Sequence, residues 1–180
     1  MKNTVGMKQS ALKAQDIVVT AKVAIAEDRS SLTFARLSVE LFMSASEVHA
    51  AVQRAITSNL LVREFGELSV NRASLMELLT HGVRYVFPAM FGPIARGVPT
   101  STSALPLAAE FELGDSLPIV WPHANGEVRG LSLCPLYPSV PSASLIDQKL
   151  HQVLALIDAL RAGAAREREL AGEALPRYFL

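Results

Sequence analysis

The chain has a single cysteine, Cys134, in 180 residues. That excludes an internal disulfide and a zinc site built from several thiolates. Cysteine scarcity also fits a reducing cytosol. Net charge is lacking as well, because 17 Lys and Arg balance 17 Asp and Glu. A whole-chain basic excess, the crudest mark of a nucleic-acid binder, is therefore absent, and any such activity must rest on local charge placement. No apolar run approaches the roughly 20 residues needed to span a bilayer. The opening MKNTVGMKQSALKAQDIVV has lysines but no apolar core followed by a small-residue cleavage site. The expectation is a soluble, cytoplasmic protein without a membrane segment. Cys134, in the run GLSLCP that starts at Gly130, reads as a small buried apolar residue.

Signs of enzyme chemistry are scarce too. His49, His81, His123 and His151 have no metal-ligand spacing with Cys, Asp or Glu. There is no Gly-x-Ser-x-Gly elbow, and nothing near Cys134 in sequence would activate it as a nucleophile. The reading is a non-enzyme with no metal and no cofactor.

Half of the residues are hydrophobic, enough to bury a sizeable core in one domain or two small ones. Residues 1–10 read as a loose polar tail. From Leu12 to Ala26 a helix-favouring run puts Ile17, Ala21, Ala24 and Ile25 on one face, with Val18, Val19 and Val23 elsewhere around the wheel. A helix apolar on most sides is either deeply buried or pressed against a second chain. After the polar turn at 27–31, Leu32 to Leu41 places Phe34, Leu37, Ser38 and Leu41 together. Then the period breaks at Met43-Ser44-Ala45-Ser46 and resumes as a stripe of Val48, Ala51, Val52, Ala55 and Ile56.

The break has a chemical signature. Ser44 with Glu47 three residues on is a capping box, so a new helix starts there and the preceding one ends near Phe42. Two short helices joined by three or four residues cross at a large angle, as in a helix-turn-helix unit. Leu60 to Val70 then gives two β-prone runs around Gly66, a hairpin pattern. A helix follows from Arg72 through Leu79, ending near His81-Gly82.

The segment Thr33 to Ala55, TFARLSVELFMSASEVHAAVQRA, resembles the core of bacterial winged helix-turn-helix regulators of the multiple-antibiotic-resistance (MarR) type. The matching features are the small Ala35, Leu37 and Leu41 on the first helix, Met43 in the turn, Ser44 at the cap, and Val48, Ala51 and Val52 on the second. The likeness covers about residues 12–75. It departs at Phe42, where such proteins commonly carry Gly for a left-handed turn.

The resemblance implies a recognition helix over about 45–58 entering the major groove of double-stranded DNA, in a homodimer. Its outward residues are Ser46, His49, Ala50, Gln53, Arg54 and Thr57. Gln pairs with adenine and Arg with guanine in bidentate fashion, while Ser and Thr reach phosphates or base edges. Arg36, Arg63 and Arg72 lie in or beside the DNA-facing elements, and Ser44 sits at the helix start. The first 84 residues carry two more basic than acidic side chains. The first and the C-terminal helices offer candidate dimer surfaces.

Nine of the ten prolines lie between Pro88 and Pro141, which excludes long helices there. Val83–Phe87 and Ile119–Trp121 read as strands, and Val128–Leu133 as the partner of the latter across the turn signal Asn125-Gly126. The hydroxyl-rich stretch Arg96–Ser103 reads as a surface loop, with anion binding as a minor alternative. Tyr85, Phe87, Phe91, Trp121 and Tyr137 read as core. A striped helix over Ile146–Leu160 with a charged extension at 166–169 closes the chain. The expected class is α+β: a winged helix-turn-helix domain at 1–82, and a β-containing, Pro-rich segment with a C-terminal helix at 83–180. The competing reading makes the same scaffold an interaction module, an antitoxin or adaptor that docks a partner protein through 83–180.

Overall fold

Helix α1 (Ala14–Ala24) is the axle of the molecule. In the computed structural model, which describes residues 11–64, 66–111 and 116–179, its Ile17, Val18, Val19, Ala21, Val23 and Ala24 are all buried. They pack within one continuous core that draws on both halves of the chain. The apolar girdle of this helix is thus consumed inside the monomer and is not a dimer surface. The tail at 1–10 lies outside the described residues.

Around α1 stand α2 (Phe34–Leu41) and α3 (Ala45–Thr57), followed by the antiparallel pair β1 (Leu61–Glu64) and β2 (Glu67–Val70). Gly66, at φ +88°, makes the turn between the strands. Helix α4 (Arg72–Glu77) does not stop at Gly82 as expected. It runs through a π-helical turn, Leu78–Gly82, into α5 (Val83–Val86), where a strand was expected. Val83 is buried and α5 packs on a later helix, so tertiary burial overrides the β propensity of the Val-Arg-Tyr-Val sequence. The boundary drawn at 82/83 therefore falls inside a helical segment.

The proline-rich part folds into three short strands: β3 (Phe91–Pro99), β4 (Ile119–Pro122) and β5 (Val128–Leu133). The expected β4–β5 hairpin does not form. Both strands run antiparallel to β3, β5 against its first part and β4 against its end, and they meet each other in parallel, closing a miniature barrel. Closure depends on glycine. A Cβ on Gly97 would lie 2.1 Å from the Trp121 carbonyl oxygen, and one on Gly130 2.1 Å from that of Pro118.

Three helices complete the chain: α6 (Val140–Ile146), α7 (Gln148–Ala162) and α8 (Ala165–Ala174). From Val153 to Arg161 every residue of α7 is buried, so it is a core helix, and the second candidate dimer surface is also covered by the chain itself. The charged residues 166–169 belong to α8, separated from α7 by a break at Gly163 and Ala164. The molecule is of the mixed α+β class, and no helix among the described residues is long and apolar enough to cross a membrane.

Two polar networks brace the structure, the first across the two halves and the second within the C-terminal one. Lys22 on α1 bridges Glu40 on α2 at 2.7 Å and Asp147, the N-cap of α7, at 2.6 Å. Deeper, Asp158 on α7 accepts from Trp121 Nε1 at 2.6 Å, from Thr100 Oγ1 at 3.0 Å and from Arg161 at 2.5 Å. Arg161 also donates to the carbonyls of Phe87 and Pro88. Burial pushes the Asp158 carboxyl up, while Arg161, Thr100 and Trp121 pull it back towards ionisation.

This network corrects the reading of 96–103 as a surface loop. Its first half is strand, Thr100 and Ser101 are buried, and Ser103 Oγ accepts from Ile119 N at 2.8 Å. Two further corrections follow. Cys134 is exposed. Of the middle segment's aromatics only Trp121 is fully buried, while Tyr85 and Phe91 stand out into solvent.

Candidate nucleic-acid interface

The junction between α2 and α3 is built by capping. Thr33 Oγ1 accepts from Arg36 N at 3.1 Å and starts α2. At its other end Phe42 takes the left-handed conformation, φ 51° and ψ 43°, the geometry for which Gly is the usual choice. Burial does not compensate, because Phe42 is 53% exposed. Met43 is the buried residue of the turn, and its N–H donates to Ser38 O at 3.1 Å. The capping box forms as expected. Ser44 Oγ accepts from Glu47 N at 3.2 Å, and Glu47 Oε2 accepts from Ser44 N at 2.9 Å.

Helix α3 is amphipathic in the required sense. Val48, Ala51, Val52 and Ala55 are fully buried, and the helix packs on α1. Ser46, His49, Gln53 and Thr57 are exposed on other sides, with Ala50 partly so. Thr57 Oγ1 donates to Gln53 O at 2.9 Å, which leaves its oxygen lone pairs outward.

Phe34 gathers two of the expected residues. His49 meets its ring edge-on at 5.3 Å, and the Arg63 guanidinium lies over it at 5.5 Å. Arg63, from β1, is thereby held beside the first part of α3. Arg36 is exposed but engaged, with its Nε donating to Glu40 Oε1 at 2.6 Å. Arg72 is exposed at the start of α4, behind Asn71, whose side chain caps that helix through Ser74 N at 3.2 Å.

Arg54 departs from expectation. Its side chain turns inward and grips Asp16 with two bonds, Nε to Oδ2 at 2.8 Å and Nη2 to Oδ1 at 2.6 Å. Asp16 is fully buried on α1 and also accepts from Lys13 N at 2.8 Å, completing the start of that helix. A guanidinium held in this way fastens α3 to α1 and is not presented to a base. An acid on the buried side of a largely apolar helix is a sequence signal for a buried cation partner, and Asp16 would have betrayed it.

The C-terminal half also reaches this junction. Tyr137 Oη donates to Glu47 Oε1, and Ser139 Oγ donates to the Leu41 carbonyl at 2.6 Å. The Tyr137 hydrogen bond, with help from Ser44, holds the Glu47 carboxyl at about 2, well below its ordinary value of 4.5. Sequence spacing gave no sign of these contacts, which span 90 residues or more.

No protein-family model, curated protein or solved structure matches the chain. The reading of the site therefore rests on its geometry. Among the described residues no group of three His, Cys, Asp or Glu side chains is placed to hold a metal ion.

Proposed function

We propose that the protein is a sequence-specific, double-stranded DNA-binding transcriptional regulator of the winged helix-turn-helix kind, with α3 in the major groove and the β1–β2 hairpin as the wing. The observation that carries the reading is the division of α3. One side is spent entirely on the core, and the other offers Ser46, His49, Gln53 and Thr57 to solvent. Gln53 is the candidate adenine reader, and His49 and Ser46 flank it. Arg63 and Arg72, with Arg36, supply phosphate contacts around it. Arg54 has a structural role in this scheme.

Few cations surround the helix, so a homodimer on a two-fold-related operator is the assembly that gives useful affinity. In such a regulator the site of action is the cytoplasm. A mobility-shift assay with the full-length protein on the DNA upstream of its own gene tests the proposal. A retarded complex whose salt sensitivity falls in Arg63→Ala is expected. No complex at low salt, or one indifferent to Gln53→Ala, would count against it. Sedimentation of the same sample measures the dimer.

A second reading has its own support. Tyr137 and Ser139 strap the C-terminal half onto the start of α3, and Tyr85, Met90 and Phe91 expose large apolar surface in that half. A protein-interaction module, an antitoxin or adaptor, would use such a surface.

A further inference from the structure

The outer face of the miniature barrel carries two exposed arginines directly opposite one another. Arg96 on β3 and Arg129 on β5 are cross-strand partners in an antiparallel ladder. Two residues away on the same strands, Ile94 faces Leu131. Alternation along a strand puts these two pairs on one side of the ladder, and Ala95 with Gly130 on the other. The inner side is filled: a Cβ at Gly130 would strike Pro118 and Val120. Arg96, Arg129, Ile94 and Leu131 therefore look outward.

Like charges directly across a ladder repel, and no carboxylate among the described residues pairs with either arginine. Neither arginine takes part in an ion pair or a side-chain hydrogen bond with any described residue. Their backbones lie about 5 Å apart, as opposed residues in an antiparallel pair do. Two planar guanidinium forks so close make a bidentate receptor for carboxylates.

The rest of the surface decides between partners. Ile94 is 47% exposed on this face, and Met90 and Phe91, at 67% and 49%, are exposed at the start of β3, beyond a register shift between Phe91 and Ile94. A phosphate backbone gains nothing from the bare Ile94 side chain beside its contacts. A peptide that alternates apolar and acidic groups gains from both.

We propose that the Ile94–Leu131 and Arg96–Arg129 face of the β3–β5 ladder is a docking surface for an acidic, apolar-containing segment of a partner protein. This surface is separate from α3 and stands whether or not α3 reads DNA. The glycine-packed strands beneath hold it rigid, so little conformational entropy is lost on docking.

The test is selection of a random peptide library displayed on phage against the full-length protein, followed by anisotropy measurements on the enriched peptides. The expected result is enrichment of peptides that combine Asp or Glu with Leu, Ile or Phe. Their affinity should fall about tenfold or more in the Arg96→Gln/Arg129→Gln double variant. Ile94→Ser should weaken them as well. All three positions are exposed, so thermal midpoints should be unchanged, which separates lost binding from lost folding. A mixed-sequence DNA duplex and an anionic vesicle are titrated alongside. The proposal is overturned if selection enriches no acidic peptide, if the double variant binds the peptides as tightly as the parent, or if the arginine pair proves necessary only for the duplex or the vesicle.

Discussion

Arg54 on α3 and Asp16 on α1 form a two-pronged ion pair in which the carboxylate has no exposure to solvent. The position that the resemblance assigns to base reading thus serves to seat the helix. Removing one partner strands a buried charge. Arg54→Ala should destabilise the fold by about 3–5 kcal/mol, whereas the apolar pair Asp16→Leu with Arg54→Met should recover most of that loss. Urea denaturation of the three proteins measures both. An Arg54→Ala protein as stable as the parent would mean that the pair contributes nothing to docking α3.

Phe42 gives a prediction of the opposite sign. It sits at φ 51° and is half exposed, so it bears the cost of a left-handed residue with little burial in return. Phe42→Gly should therefore stabilise the protein by roughly 0.5–1 kcal/mol, after allowing for the extra freedom glycine gives the unfolded chain. The denaturation midpoint should rise with an unchanged slope. A fall would place an unrecognised packing role on that ring.

Glu47 links stability to pH. Its carboxyl is held at about 2 in the folded protein against 4.5 ordinarily, first by Tyr137 and then by Ser44. A lowered folded value means that the contribution is fully present above 4.5 and is lost as pH falls through about 2. Tyr137→Phe removes the largest cause. The Glu47 titration, followed by carboxyl carbon NMR, should then move up towards 4.5, and acid unfolding should begin at higher pH. An unmoved titration would show that Ser44 alone sets the value.

The buried acid in the C-terminal half predicts a larger effect. Asp158→Ala leaves Trp121 Nε1 and Thr100 Oγ1 without their acceptor in the core and takes the counter-charge from the buried Arg161 guanidinium, which keeps only the Phe87 and Pro88 carbonyls. A cost of about 3–5 kcal/mol is expected. The single tryptophan sits in this network, so its fluorescence reports the loosening directly.

Much of the first half was legible because its signals are local. Ser44 and Glu47 interact three residues apart, and the Val48–Ala51–Val52–Ala55 stripe is fixed by helical period alone. Arg54 escaped for a reason of scale: on a helical wheel it borders the polar face, and only the distant Asp16 draws it inward. The middle segment failed for the same reason. Asn125-Gly126 does mark a turn, with Gly126 N donating to His123 O at 3.0 Å. The strands that it separates nevertheless flank β3, because Gly97 pairs with both Pro122 and Val128. Nothing within 119–133 announces the third strand against which both run antiparallel. At Val83–Val86, β-prone residues follow an unbroken helix and are carried on by packing against α7.

The α3 reading face must separate from stability if it is functional. Gln53 and His49 are exposed, and Gln53 has no side-chain bond to any described residue. Substituting surface residues of this kind usually changes stability by less than about 0.5 kcal/mol. Gln53→Ala should accordingly leave the denaturation midpoint in place while weakening binding to a cognate duplex by about 1–3 kcal/mol and relaxing preference at one base pair. His49→Ala removes the edge contact with the Phe34 ring on which Arg63 rests, so it should lower affinity more evenly across sequences. Competition titrations with single-base variants of the bound site distinguish the two patterns. Uniform loss in both variants would reduce α3 to a phosphate-binding face without sequence preference, and no loss in either would remove it from the interface.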